Sequence, residues 1–361
     1  MNEAQTRPLS PGPKSLGGVT LKDVATAAGV SVSTASRALA NNPRVSLSTR
    51  RHVQQVARDL NYVVNGLAQS MMGIGTQTVG FVTGAFLAES FARIAHGVDE
   101  VVTREHAMLM MNSTHNNADA ERAVIDMLAR QRTAGVLLVG TRTDQDHQVL
   151  ADYRSMLAAV NARLVLCGSP AIPELDDIPS VSYDHYSGMV DATTALLEAG
   201  HRRIAFLGYE DRSTARERYN GYHDALHHAG IDVDPRCELV QHCDNISEQL
   251  LPAARRLLTL DVNRRPTAIV CVTDFAAHSV YRVACELGLR LPDDLSVTGF
   301  DDLSTDGTLT PTLSSVSVPF EEVGRYAASL MLGLPVDQGT HRVFPVRFIP
   351  RESIAPPRPS R

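Results

Sequence analysis

Between residues 20 and 60, apolar side chains recur at spacings of three and four in three short runs. Leu21, Val24, Ala25 and Ala28 form one face of a predicted helix, with Thr20 placed to cap it and Gly29 to end it. Ser31 caps a second helix, from about Val32 to Leu39, whose Ala35, Ala38 and Leu39 turn inward. Asn41-Asn42-Pro43 breaks the chain, and Ser46 starts a longer helix carrying Val53, Val56, Ala57 and Leu60. From Thr78 onward the rhythm changes. Short apolar runs at 79–82, 107–111, 135–139, 164–167, 203–207, 267–272 and 295–300 read as buried strands. Helical patterns at 118–130, 189–199, 215–229 and 276–287 separate them. This alternation predicts an α/β body of two doubly wound lobes, each a parallel sheet covered on both faces, with ligands at the carboxyl ends of the strands.

Composition narrows the class without naming a function. Of 361 residues, 43% are hydrophobic and 20% charged, the balance of a folded protein with a sizeable core. No apolar run reaches the roughly 18 residues of a membrane-spanning helix, so no membrane partner is expected. The first fifteen residues hold Pro8, Pro11, Gly12 and Pro13 and no apolar stretch, so the expected location is the cytoplasm. Five scattered cysteines argue against a disulfide scaffold.

The net charge of −6 conceals two different segments. Residues 1–75 carry eight Lys and Arg against three Asp and Glu, a net of +5, leaving −11 for the remainder. A basic head on an acidic body suggests a phosphate backbone as the head's partner. Two short helices joined by a glycine-containing turn, closed by a third, make a helix-turn-helix unit. The second helix offers Val32, Ser33, Ser36 and Arg37 on its outer face. Short side chains allow close approach to the major groove, and Arg37 can pair bidentately with guanine. Thr20, Ser31, Thr34, Arg44, Ser46 and Arg50 are candidate phosphate contacts.

The run from Val19 to Leu39, then Arg44-Val-Ser46 and Leu60-Asn-Tyr62, closely resembles the LacI-type (lactose-repressor-type) transcription regulators. The likeness continues through the body in Gly200-His-Arg-Arg-Ile-Ala-Phe206, Arg218-Tyr-Asn-Gly-Tyr222, Arg265-Pro-Thr-Ala268, residues 287–297 and Gly299-Phe-Asp-Asp302, covering about residues 19–353. It implies a ligand-responsive, non-enzymatic regulator: an all-α helix-turn-helix head on a periplasmic-binding-protein-like body. Such a protein, typically a repressor, acts as a homodimer on a pseudopalindromic double-stranded DNA operator. In the family the positions of Val32, Ser33 and Arg37 face bases. The stretch 64–77 matches the hinge helix that forms on DNA, with Asn65 and Ala68 fitting its pattern and Met71 standing at the wedge position usually held by Leu. Gly66 lowers helix stability there by about 0.8–1 kcal/mol, so the hinge is expected to be disordered without DNA.

The resemblance also assigns effector positions one at a time. Phe91 matches an aromatic residue lining the cleft, Arg218 an effector-binding arginine and Asp301 an acceptor at a strand end. Arg212 and Thr214 match positions that touch ligand in some members. Thr273 replaces the family's Asn before Asp274, and Asn245 stands at a commonly aromatic site. A sugar or sugar derivative is the family's commonest effector class, with a purine or nucleoside as the alternative. The resulting division is a flexible tail at 1–18, the head at 19–63, the hinge at 64–77, the two-lobed body at 78–353 and a flexible tail at 354–361. The last segment holds no leucine heptad for a four-stranded coiled coil, which predicts a dimer.

Other classes fit less well. Gly73-Ile-Gly75 lacks the third glycine of a dinucleotide loop and precedes its strand, and neither a phosphate loop nor a nucleophile elbow is present, so no catalytic residue and no cofactor are expected. His223, His227, His228, Cys237, His242 and Cys243 cluster in sequence, but their spacing fits no common zinc finger and no metal is expected. A solute-binding protein on the same two lobes would have no use for the basic head.

Overall fold

The computed structural model describes residues 18–63, 78–84, 88–141, 146–209, 213–241, 246–303 and 308–358. The chain divides into two compact units, the first ending at Thr76 and the second starting at Gln77.

In the first unit α1 (Leu21–Ala27), α2 (Val32–Leu39) and α3 (Leu47–Asp59) begin at the predicted caps. Thr20 and Asp23 form a reciprocal capping box, with the Asp23 N–H donating to Oγ1 of Thr20 and the Thr20 N–H to Asp23. Ser31 Oγ accepts from the Thr34 N–H at 3.1 Å and Ser46 Oγ from the Thr49 N–H at 3.2 Å. Gly29 ends α1 at φ +66°, a conformation that disfavours a side chain. Val24, Ala25, Ala28, Ala35, Ala38, Val45, Val53 and Ala57 fill the core. The side chains are small because short helices crossing closely leave little volume between them.

The second unit holds two six-stranded sheets. The first-lobe sheet contains β1 (Thr78–Thr83), β2 (Met108–Ser113), β3 (Gly135–Val139), β4 (Arg163–Cys167), β5 (Ser180–Tyr183) and β11 (His341–Phe344), in the order β11-β5-β4-β3-β1-β2, all parallel. The second-lobe sheet contains β6 (Ile204–Tyr209), β7 (Glu238–Gln241), β8 (Ala268–Cys271), β9 (Ser296–Asp301), β10 (Ser314–Ser317) and β12 (Arg347–Ile349), in the order β12-β10-β9-β8-β6-β7. Only β12 runs antiparallel, against β10. The chain passes between the lobes after β5, after β10 and after β11, so neither lobe is a continuous segment.

Around the sheets pack α4 (Glu89–Arg104), α5 (Ala118–Arg130), α6 (His147–Ala158), α7 (His185–Glu198), α8 (Ser213–His228), α9 (Ile246–Leu258), α10 (Asp274–Glu286) and α11 (Phe320–Leu332). Strands β5 and β10 escape the apolar pattern because they read Ser-Val-Ser-Tyr and Ser-Ser-Val-Ser. Ser180, Ser182, Ser314 and Ser315 are buried, and they find partners: Ser180 Oγ lies 3.0 Å from His341 Nδ1, and Ser315 Oγ donates to Asp274 at 2.6 Å. Helices α4 and α11 cross at two glycines. A methyl group on Gly97 would sit 2.0 Å from the Glu321 carbonyl oxygen, and one on Gly324 would sit 2.1 Å from that of Ile94.

The C-terminal segment corrects an expectation. Residues 354–358, read from sequence as part of a flexible tail, lie against the second lobe. Ala355 N–H donates to Ser296 Oγ at 3.1 Å, and its carbonyl oxygen lies 2.9 Å from Nε2 of the buried His201. Arg358 pairs with Asp293 at 2.6 Å. The antiparallel return of β12 along β10 delivers these residues to the amino end of β9, where Ile354 packs on the core.

Candidate functional site

On the head, Thr20, Ser31, Val32, Ser33, Arg37, Arg44 and Ser46 are exposed, and Thr34 and Ser36 are half-buried beside them. An exposed Val32, 46% accessible on a helix whose core face is alanine, leaves an apolar contact open on the outer surface. The Ser31, Ser46 and Thr20 oxygens already accept cap hydrogen bonds, which fixes where each hydroxyl points. Arg50 turns inward instead: its Nη1 donates to the Asn41 carbonyl at 3.2 Å and holds the turn after α2. Asn65, Ala68 and Met71, like Arg212 and Asn245 in the body, fall outside the described residues.

In the body, the carboxyl ends of the second-lobe strands gather the polar groups. Arg218, on α8, is 4% exposed and reaches across the sheet end. Its Nη1 donates to the Val272 carbonyl at 2.6 Å, just past β8. Its Nη2 lies 3.3 Å from Asp301 Oδ1 and 3.4 Å from the Tyr183 hydroxyl, and Nε donates to His185 Nδ1 at 3.2 Å. The guanidinium lies 3.7 Å over the Phe300 ring, where a flat cation meets the negative face of the π system. Burial works against the charge on Arg218, and the carboxylate of Asp301 and its other neighbours outweigh that and hold its pKa above the ordinary value.

Asp301 adopts φ +117° and Asp302 +55°, two successive non-glycine residues in sparsely populated backbone at the end of β9. The fully buried Asp274 braces this bend: Oδ2 accepts from the Leu303 N–H at 3.1 Å, and Oδ1 from Ser315. Thr273 caps α10 by accepting from the Ala276 N–H at 3.3 Å, so the replacement of Asn keeps the cap. Thr214 stands one turn before Arg218 on α8, on the same face.

Phe91 lies on the first turn of α4 in the first lobe, half-buried against the main core. On the same helix Arg93 grips Glu321 bidentately at 2.8 and 3.1 Å, and its hydrogen bonds hold the Glu321 carboxyl below the ordinary range. Arg93 Nη1 also donates to the Asp302 carbonyl at 3.4 Å, a direct bond between lobes. From the second lobe, Arg351 reaches Asp302 Oδ1 at 2.5 Å.

The structure thus brings Arg218 and Asp301 together and keeps Phe91 in the other lobe. Tyr183, His185, Asp274, Phe300 and Arg93 were not singled out from sequence. Tyr183 and His185 flank the end of a strand hidden by its serines, and Arg93 belongs to α4, a helix outside the predicted helical patterns. Burial pushes the Tyr183 hydroxyl pKa up, so it stays protonated in this cluster.

Other candidates do not converge on chemistry. His223 Nε2 lies 2.5 Å from Glu238 and 2.9 Å from the Tyr219 hydroxyl. Among the described residues no three His, Cys, Asp or Glu side chains come together as metal ligands, and no helix is long and apolar enough to cross a membrane. A cavity of about 780 Å³ at the opposite, amino end of the second-lobe sheet is lined by His201, Arg203, Arg265, Arg290 and Pro357 and includes none of the predicted effector positions.

A helix-turn-helix unit together with a two-lobed α/β receptor defines the class of ligand-responsive DNA-binding regulators. Comparison with known proteins fixes the family. Residues 20–65 match "Bacterial regulatory proteins, lacI family", and residues 193–354 match a periplasmic binding protein-like domain. The chain is 32% identical to the HTH-type transcriptional repressor CytR of Escherichia coli K12 over 316 residues, covering 87% of this chain and 89% of that protein. It is 30% identical to the repressor PurR of Photobacterium profundum over 324 residues, 90% of this chain and 94% of the relative. Among solved structures it is similar to the transcriptional regulator CelR in complex with cellobiose (TM-score 0.67, 28% identity, 93% of this chain and 99% of that one). It also shares the fold of the lac repressor dimer bound to operator and an anti-inducer (TM-score 0.79, 24% identity, 94% of this chain and all of the other). The chain belongs to the LacI family: it is a DNA-binding transcriptional repressor with an effector-binding periplasmic-binding-protein-like domain and no enzymatic activity.

Proposed function

We propose that this repressor is a homodimer on a pseudopalindromic operator and that a sugar or sugar derivative, bound between its lobes, sets its operator affinity. Val32, Ser33 and Arg37 meet base edges; Thr20, Ser31, Thr34, Ser36, Arg44 and Ser46 meet backbone or groove edges. Asn65, Ala68 and Met71 belong to the hinge at 64–77, with the head at 19–63 and the body from 78. In the body, Arg218 and Asp301 are the polar anchors, Phe91 is the ring platform, and Arg212, Thr214, Asn245 and Thr273 complete the lining.

The observation that carries the effector reading is the buried Arg218–Asp301 pair, 3.3 Å apart at the carboxyl ends of the second-lobe strands. A guanidinium N–H beside a carboxylate suits adjacent hydroxyls, one accepting and one donating, better than it suits an apolar solute. The similarity to a cellobiose complex points the same way. Because a ligand bound only by the native state raises stability by mass action, a thermal-shift panel of sugars, polyols and purines tests the class. Stabilisation by a sugar, lost in Arg218→Ala, supports it. Stabilisation by purines alone transfers the site to the nucleobase alternative.

A further inference from the structure

His185 opens α7 directly after the chain crosses from the first lobe to the second, and it is fully buried. Its two ring nitrogens face groups with fixed roles. Arg218 Nε is a donor, so Nδ1 at 3.2 Å accepts; the Gly168 carbonyl is an acceptor, so Nε2 at 3.3 Å donates. Only the neutral Nε2–H tautomer satisfies both. Gly168 belongs to the first lobe: it follows β4, and its N–H donates to the Val181 carbonyl at 2.7 Å. The imidazole is clamped, its centroid 4.1 Å from that of Tyr183 and stacked at 6.1 Å on Phe300, the ring that also carries the Arg218 guanidinium.

We propose that His185 is the positioning residue of the effector site, one neutral imidazole that aims Arg218 and fastens it to the first lobe through Gly168. The proposal rests on the reading of Arg218 as an effector contact. Val272, Tyr183 and Asp301 take N–H groups from the two Nη atoms, and His185 takes the one on Nε. Among the described residues this leaves one Nη1 hydrogen without a protein acceptor, and that hydrogen is presented to the ligand. A ligand that pulls on Arg218 pulls through His185 on the end of β4. Occupancy and lobe closure are thereby coupled through a continuous hydrogen-bonded chain.

Three measurements on the full chain test this. With 15N-labelled histidine, long-range proton–nitrogen correlation should show one ring protonated at Nε2 and bare at Nδ1, absent from His185→Asn and shifted in Arg218→Lys. An Nδ1-protonated or exchanging ring, or no response to Arg218→Lys, overturns the proposal. In small-angle scattering, ligand-free His185→Asn keeps an acceptor near Arg218 but cannot reach Gly168, and His185→Phe keeps only the ring. Both should show a larger radius of gyration at unchanged circular dichroism; equal radii overturn the link between lobes. Finally, D-glucose, D-galactose, D-ribose and cellobiose serve as probes. Any that stabilises the wild type should bind His185→Phe at least about tenfold more weakly, the scale of one lost hydrogen bond to a charged group. Equal affinity at a lowered Tm would reduce His185 to a structural residue. If none of the four binds the wild type, the sugar reading fails, and the first two measurements still decide the role of His185.

Discussion

Single residues here act through the few partners they meet. Arg37 is exposed on α2 with small neighbours, and a bidentate contact to guanine contributes about 1–3 kcal/mol of discrimination. Arg37→Ala should therefore weaken operator binding more than binding to random DNA, measured by fluorescence anisotropy at one fixed salt concentration; equal losses would recast Arg37 as a phosphate contact. Two histidines make stability depend on pH. Burial, and for His185 also the nearby Arg218 charge, hold His185 well below the usual value and His201 below it. Each binds its proton more readily in the unfolded chain. Their contribution is complete above pH 6.5, the ordinary histidine value, and is lost as the pH falls below it. Calorimetry between pH 7.5 and 5 should show Tm dropping with acidity, and His201→Gln should flatten that slope.

Elements are held by features that a list of apolar positions does not show. The α4–α11 crossing brings backbones so close that Gly97→Ala has no room without moving Glu321. Overpacking of this kind costs about 1–3 kcal/mol, so the variant should melt earlier by calorimetry while far-UV circular dichroism stays unchanged. The C-terminal strap gives a second prediction. Removing residues 354–361 strips His201 and Ser296 of their Ala355 partner and Asp293 of Arg358. A lower denaturation midpoint is expected; an unaltered midpoint would show the strap contributes nothing. Caps and the three head helices were legible in sequence because each is local: a hydroxyl, a spacing of three or four, a glycine. Strands β5 and β10 were not, because burial of a serine is decided by a partner far along the chain.

At the scale of the molecule, the split charge now has a structural counterpart. The three-helix head falls within the basic segment, and the two-lobed receptor falls within the acidic remainder. Operator affinity should fall steeply with rising salt, as phosphate neutralisation releases counterions. Light scattering on the free protein should give a mass near two chains; a mass near four would contradict the dimer. Arg93 and His185 each bond across the lobes, to Asp302 and Gly168. These two directional bonds join the lobes alongside an apolar core that runs through both.

The sequence by itself determined the helices of the head, the alternation of strand and helix in the body and the family, because periodicity, caps and contiguous motifs are carried by neighbouring residues; the family resemblance then marked Arg218 and Asp301 separately as candidate effector positions. Only the tertiary structure decided that Arg50 supports a turn, that residues 354–358 are docked, and that Tyr183, His185 and Phe300 enclose Arg218. The enclosure of Arg218 depends on the crossings between lobes that bring residues 168, 185, 218, 272 and 301 to one place. Hydrogen bonding at that distance in sequence is set by where the chain returns, and local composition carries no record of it.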